Sequence, residues 1–388
     1  MIIGLNKRLG TLYLIGFFMA LAEAFPGYIR STYLEEFVEV RWVGAFFIGS
    51  ALLSIMIINF FPIFIKRWTN YQLSLIILSL AIVSYVTLAL TYSVAVAFTA
   101  FIVSGTAIIL FSINLDVFVE RFTANPTTGR IRTIYMTFLN LGWLVSPLTV
   151  GHLIGQDNYR LIYLIASLFM AIALVVLVSK KDTLADHVRY QHHHSLATIK
   201  NIWKRMELRG IFAIAFLLQL FYAVAVIYIP IYLHENIGFS WLTIGGIFTF
   251  MLVPFVLFEI PVGILADKYS NEKVILIFGF LVITASVFIM ALLESTNPVI
   301  WAMVLFLSRV GAAIIEAMRE SYFFKTVDVK DIDYINFFRN IGPAGYLIGS
   351  GLGILILSFF SIQMLFLILG ICLLSGIYFS GRLKKIKG

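Results

Sequence analysis

Apolar runs long enough to cross a membrane recur along the whole chain, and each is closed by a short cluster of charged or turn-forming residues. A helix needs about 20 apolar residues to cross the hydrocarbon of a bilayer. Runs of that order lie at 9–30, 42–65, 71–92, 94–118, 131–155, 160–179, 210–234, 241–266, 272–293, 298–325, 332–358 and 361–381. The breaks between them carry Lys66-Arg67, Asn125-Pro126, Gly129, Gly238 and Asn297-Pro298. Short segments of strictly alternating polarity, the mark of a membrane barrel, are absent. The pattern predicts an all-α polytopic membrane protein with twelve transmembrane helices.

The runs form two sets related by an offset of 200 positions. On that offset Gly10 meets Gly210, Tyr28 meets Tyr228, Glu35 meets Glu235, Glu120 meets Glu320, Asn140 meets Asn340 and Gly142 meets Gly342. Asp116 and Glu316 share it as acids. Two pseudo-symmetric six-helix bundles are therefore expected, residues 1–180 and 210–388, with a linker over 181–209. A duplicated bundle around one central site is the architecture of a secondary transporter.

Composition supports lipid as the solvent. The chain is 61% hydrophobic and 12% charged, against about 45–50% and about 25% in soluble proteins. Its net charge of +8 suggests nucleic acid until the placement of charge is read. With the N-terminus inside, only Arg30, Arg41 and Arg160 fall on the outer side and Arg309 falls within a span; the other Lys and Arg fall inside. This is the positive-inside pattern, so both termini are expected in the cytoplasm of a cell (inner or plasma) membrane protein, without a nucleic-acid partner. A monomer is expected. The single Cys372 excludes an intramolecular disulfide. Ala22-Glu23-Ala24 mimics a signal-peptide cleavage site, but cleavage there breaks the repeat, so the first run is read as a retained helix.

The long polar stretch over 180–209 carries His192, His193 and His194 and an amphipathic piece at 199–203. It reads as a solvated linker that lies partly along the membrane surface; metal binding by the histidines is the weaker alternative, because no Cys or acidic ligand is near.

Between the eighth and ninth runs the chain reads Gly263-Ile264-Leu265-Ala266-Asp267-Lys268-Tyr269-Ser270-Asn271-Glu272-Lys273. This resembles the G-x-L-A-D-[RK]-x-[GS] loop signature of the major facilitator superfamily, and the twelve runs, central linker and internal termini extend the resemblance over the chain. Asp267 is expected to cap the start of the ninth span, and Lys268 to pair with an acidic helix end. The corresponding first-half loop, Phe60 to Arg67, has neither the Gly nor the Asp. Gly142-Trp143-Leu144-Val145-Ser146-Pro147 with Gly151 is similar to a degraded form of the Gly-Pro motif of family antiporters. Gly342-Pro343-Ala344-Gly345, Gly349, Gly351 and Gly353 follow in the eleventh run. Small residues in close helix packing are the other reading of both stretches.

Polar groups inside the spans supply the candidate chemistry. A charge at the bilayer centre costs about 2.5–3.5 kcal/mol even on the lenient insertion scale, so it faces a cavity or a partner. At 1.5 Å per residue, Glu23 sits ~21 Å into the first span and Arg309 ~16 Å into the tenth. Glu23 shares a face with Arg30. The resemblance implies that spans one, four, seven and ten line a central cavity, which brings in Gln219 and Tyr222. Glu23 is then expected to carry the coupling proton and Arg309 to hold an anionic group or tune a carboxylate; a fixed structural ion pair is the alternative for each. A second set lies toward the cytoplasmic edge: Asp116, Glu120, Arg132, Glu259, Gly263, Asp267, Lys268, Glu316, Arg319, Glu320 and Arg339. These are expected to form salt bridges that gate the inner mouth, with ordinary interfacial charges as the alternative.

No phosphate-binding G-x-x-x-x-G-K-[ST] loop is present, so direct nucleotide drive is not expected, and no cofactor beyond a coupling ion is implied. The resulting expectation is proton-coupled export of a small amphipathic or hydrophobic compound by alternating access. Proton-linked uptake of a sugar or organic acid is the first alternative. A polytopic membrane enzyme holding a metal at Asp328, Asp331 and Asp333 is the second.

Overall fold

The computed structural model describes residues 7–121, 128–155, 158–184, 205–269, 272–326 and 332–384. Twelve helices of 20 to 29 residues run through them. They are α1 Lys7–Gly27, α2 Val40–Arg67, α3 Asn70–Leu90, α4 Val94–Arg121, α5 Thr128–Leu153 and α6 Tyr159–Ser179. The second set is α7 Met206–Ile231, α8 Trp241–Tyr269, α9 Glu272–Leu292, α10 Pro298–Thr326, α11 Ile332–Leu357 and α12 Ile362–Gly381. No strand occurs among the described residues. Eleven of the twelve are long and apolar enough to cross a membrane. The remaining one, α5, opens on Arg130 and Arg132 and carries Asn140, Ser146 and His152.

Local chemistry explains where the helices stop. The first apolar run is read to residue 30, yet α1 ends at Gly27, and a separate short helix covers Arg30–Glu35. Pro26 has no N–H to donate to the preceding turn, which weakens the helix there. Its counterpart α7 carries Pro230 and passes into a wide π-turn over Tyr232–Asn236, closed by Gly238 at φ 82°. Only a residue without a side chain adopts that angle at no cost. The connection into α3 lacks the family Asp, and it is held instead by a capping box. Thr69 Oγ1 accepts from the Gln72 N–H at 3.2 Å, and Gln72 Oε1 accepts from the Thr69 N–H at 3.1 Å. At the other such connection the helix continues through Asp267 to Tyr269, and α9 begins at Glu272. Asp267 therefore has helical backbone and does not occupy the capping position of α9, which corrects the sequence-based expectation.

Contacts divide the chain into two compact units, Met1–Glu39 with Gly49–Gln191, and Val40–Ile48 with His192–Gly388. The first turns of α2 thus cluster with the second unit. Helix pairing within the units repeats. In the first, α1 packs on α5 and α6, and α3 on α4 and α6; in the second, α7 packs on α11 and α12, and α9 on α10 and α12.

Glycines set the closest pairs. A Cβ on Gly142 of α5 would lie 3.0 Å from the Ala20 Cβ of α1, and one on Gly345 of α11 would lie 2.5 Å from the Gln219 Cβ of α7. Gly349 and Gly353 continue that ridge at one-turn intervals, against Ala223 and Tyr228. The glycine-rich stretches are packing surfaces, as small residues are in membrane bundles.

Polarity is inverted relative to a soluble protein. Val83, Val175, Phe278 and Leu355 are all more than half exposed, while Asn70, Ser74, Asn114 and Arg309 are buried. Buried polar groups need partners, and three of these form a closed ring. Asn70 Nδ2 donates to the Asn114 carbonyl at 3.0 Å, Asn114 Nδ2 to Ser74 Oγ at 3.0 Å, and Ser74 Oγ to the Asn70 carbonyl at 2.8 Å. This ring ties α3 to α4.

Candidate functional site

In the second unit, α7 and α10 bring two predicted residues together. Arg309 is 2% exposed, and its guanidinium carbon lies 4.9 Å from the Phe221 ring centroid and 6.0 Å from that of Tyr222. A cation over an aromatic face is attracted by the ring quadrupole, by about 0.5–2 kcal/mol. Its Nη1 is buried without a hydrogen-bond partner, and no carboxylate pairs with it among the described residues. That leaves a fixed, permanently charged donor group with unused N–H bonds beside two aromatic faces.

One turn and more along α10, three of the residues read as gate residues form a local charged cluster. Tyr222 donates to Glu316 Oε2 at 2.7 Å, and Arg319 Nη2 lies 3.5 Å from both Glu316 Oε1 and Glu320 Oε1. Arg319 also sits over the Phe338 ring at 5.5 Å. Glu316 is thus joined to the Arg309 neighbourhood through Tyr222, and its charge is balanced by Arg319 rather than by Arg309. Gln219, predicted to face the same group, lies against the glycines of α11, with Oε1 at 4.0 Å from the Cβ position of Gly342. The structure brings Arg309, Tyr222 and Glu316 together and turns Gln219 toward the helix interface.

In the first unit, Arg30 reaches back across the break in α1. Its Nη2 donates to the main-chain carbonyl of Glu23 at 3.3 Å. The carboxylate of half-buried Glu23 lies within electrostatic reach of Arg30, and the hydrogen bond between these two residues runs to the backbone carbonyl. Arg30, Pro26, Tyr85 and Tyr163 line a small cavity with Ser104 of α4. Neither tyrosine stands out in the sequence, because one hydroxyl in an apolar run does not change its periodicity.

Arg160, one of the three cations read as external, has a defined structural task that sequence does not reveal. It donates to the Thr91 carbonyl at 2.7 Å and the Ala89 carbonyl at 3.3 Å, pairs with Glu36 at 3.4 Å and stacks on Tyr92 at 3.9 Å. A cation on the free carbonyls at a helix C-terminus is well placed.

Of the remaining gate residues, Asp116 and Arg339 are half-buried on α4 and α11. The side chains of Glu120, Arg132, Glu259, Asp267 and Lys268, and the surroundings of Gly263, lie outside the described residues. So do Asp328, Asp331, the side chain of Asp333, and the linker histidines.

Comparison with known proteins places this geometry. The sequence model of the Major Facilitator Superfamily matches residues 12–342. No curated protein sequence matches the chain. Among solved structures it is similar to the crystal structure of an aspartate-to-alanine mutant of the nucleoside transporter NupG. The TM-score is 0.77 over 97% of this chain and 100% of that one, at 13% identity, which is a likeness of fold. The family match extends from α1 into α11 and sets aside the membrane-enzyme alternative. The chain is a multi-pass membrane transporter, and it belongs to the Major Facilitator Superfamily.

Proposed function

We propose that the protein is a proton-coupled secondary transporter that exports a small amphipathic compound by alternating access, as a monomer with both termini in the cytoplasm. The observation that carries this reading is Arg309, a buried guanidinium with an unpartnered Nη1, seated on the rings of Phe221 and Tyr222. Its free donors suit an acidic or electron-rich acceptor, and the rings beside it suit a flat apolar body. Glu23 is the proton carrier in this reading, because it is an acidic side chain within α1, where a charge is costly, with Arg30 beside it to offset the charged form. One charge moved through 100 mV supplies about 2.3 kcal/mol, enough to drive modest accumulation. The distribution of Lys and Arg supports the orientation of the termini.

Uptake of an organic acid is the second reading, and the same unpartnered Nη1 favours it. Proteoliposomes of known orientation separate the two. A panel of labelled amphipathic compounds and organic acids is supplied under imposed proton and sodium gradients. Export predicts that acidifying the compartment facing the external side drives substrate out of the compartment facing the cytoplasmic side. Accumulation in the opposite sense establishes uptake, and transport indifferent to the proton gradient overturns the coupling assignment.

A further inference from the structure

Glu316 has no task in substrate binding by Arg309, yet one hydrogen bond joins it to that neighbourhood. Tyr222 donates its hydroxyl hydrogen to Glu316 Oε2 at 2.7 Å. The Tyr222 ring is held between Phe221 at 5.7 Å and Phe255 of α8 at 6.5 Å, and its hydroxyl lies within electrostatic reach of Arg309. The bond is only part-buried and the Glu316 side chain is 32% exposed, so the pair has an open side.

The direction of that bond is set from behind. An ionised carboxylate only accepts, and a guanidinium only donates. The two Glu316 oxygens are divided between partners: Oε1 lies 3.5 Å from Arg319 Nη2, and Oε2 takes the Tyr222 hydrogen. A phenol has one hydrogen, and once that is committed the oxygen can only accept. Arg309, with its unpartnered Nη1, can only donate. The two groups therefore make opposite demands on a ligand. Arg309 asks for an acceptor, and Tyr222 asks for a donor.

We infer that Glu316 is a positioning residue for substrate selection: by taking the Tyr222 hydrogen it makes Tyr222 an acceptor, and so selects flat acids that also carry an O–H or N–H on their apolar body. This assignment rests on the reading of Arg309 as the substrate-binding group. An acid without such a donor leaves the Tyr222 oxygen facing an apolar group, and the missing hydrogen bond weakens binding by about 2–13-fold. Glu316→Gln reverses the hydroxyl. Arg319 only donates, so it keeps the amide oxygen and leaves the amide nitrogen facing Tyr222. Tyr222 then accepts from that nitrogen and turns its own hydrogen toward the ligand.

The test is a binding titration on the purified full-length protein in detergent, with 3- and 4-hydroxybenzoate and their methyl ethers. Tyr222→Phe sets the baseline, because its hydroxy-to-methoxy preference reflects bulk alone. The parent should prefer the hydroxy acid of at least one pair by about 2–13-fold over that baseline. Glu316→Gln should fall below the baseline for the same pair, since the methyl ether accepts and donates nothing. A structural role for Glu316 lowers stability without inverting the preference. Equal preferences in the parent and Glu316→Gln, or in the parent and Tyr222→Phe, overturn the proposal. Arg309→Met separates the two levels of the argument. If it weakens all four probes while the preference is the same in the parent and Glu316→Gln, this assignment falls and the Arg309 reading stands. If it weakens none of them, both fall. Failure of the parent to bind any of the four overturns the substrate class named here and leaves the Arg309 reading to the wider panel above.

Discussion

Replacing Arg309 with Met separates a binding role from a structural one, because the two predict opposite signs for stability. A buried cation near the bilayer centre costs about 2.5–3.5 kcal/mol. The Phe221 and Tyr222 rings return about 0.5–2 kcal/mol of that. No carboxylate pairs with Arg309 among the described residues, so its removal strands no counter-ion among them. Met has a similar length, has no polar head to satisfy, and its thioether packs well on aromatic rings. Arg309→Met should therefore fold and be more stable than the parent by roughly 0.5–3 kcal/mol. Substrate affinity should move the other way. A hydrogen bond to a charged group contributes about 1.5–3 kcal/mol, so the variant should bind substrate about 10–150-fold more weakly. Thermal unfolding in detergent and substrate-binding titration on the same preparation read both quantities. Arg319→Met is the control, because it leaves Glu316 and Glu320 without their shared cation and should lower the unfolding temperature. If Arg309→Met is destabilised as much as Arg319→Met while its substrate affinity is unchanged, Arg309 is a structural residue and the binding assignment fails.

Three further outcomes are expected. Glu23→Gln should retain substrate exchange across proteoliposomes and lose its dependence on the proton gradient; full gradient-driven accumulation removes Glu23 from coupling. On α11, Gly345→Ala should destabilise by about 1–3 kcal/mol through overpacking against Gln219, whereas Gly351→Ala, with nothing within 4 Å of its Cβ position, should gain up to about 1 kcal/mol in helix propensity. Equal thermal shifts for the two glycine variants contradict the ridge described for α7 and α11. Arg160→Met loses two charged hydrogen bonds to carbonyls near the end of α3 and should cost about 1.5–3 kcal/mol, measured as a lower unfolding temperature without a change in substrate affinity.

Much of the fold is legible in the chain because its evidence is local. A span must be apolar over its own length, so the twelve runs announce the helices and place most ends within a few residues. The end of α1 is an exception, since Pro26 and Gly27 halt it inside a run that remains apolar. Asp267 is another. A motif read as a loop continues as helix to Tyr269, because nothing between Gly263 and Tyr269 forbids helical backbone.

The candidate site is legible only in part. Arg309 and Glu23 stand out in sequence because charge is rare and costly inside a span, and that cost is independent of neighbours. Which groups they meet depends on the rotation and separation of helices far apart in sequence. Tyr222 and Glu316 are 94 residues apart and share a hydrogen bond, while Gln219, three residues from Tyr222, turns to a different helix.

By itself, then, the sequence determined the solvent, the helices and the family, since each rests on composition or motif within a short window. It took the tertiary structure to show that Arg309 has no carboxylate partner among the described residues, that Arg319 balances Glu316, and that Tyr85 and Tyr163 line one cavity with Arg30. Those are facts about the relative placement of helices, and no single apolar run carries the packing that sets it.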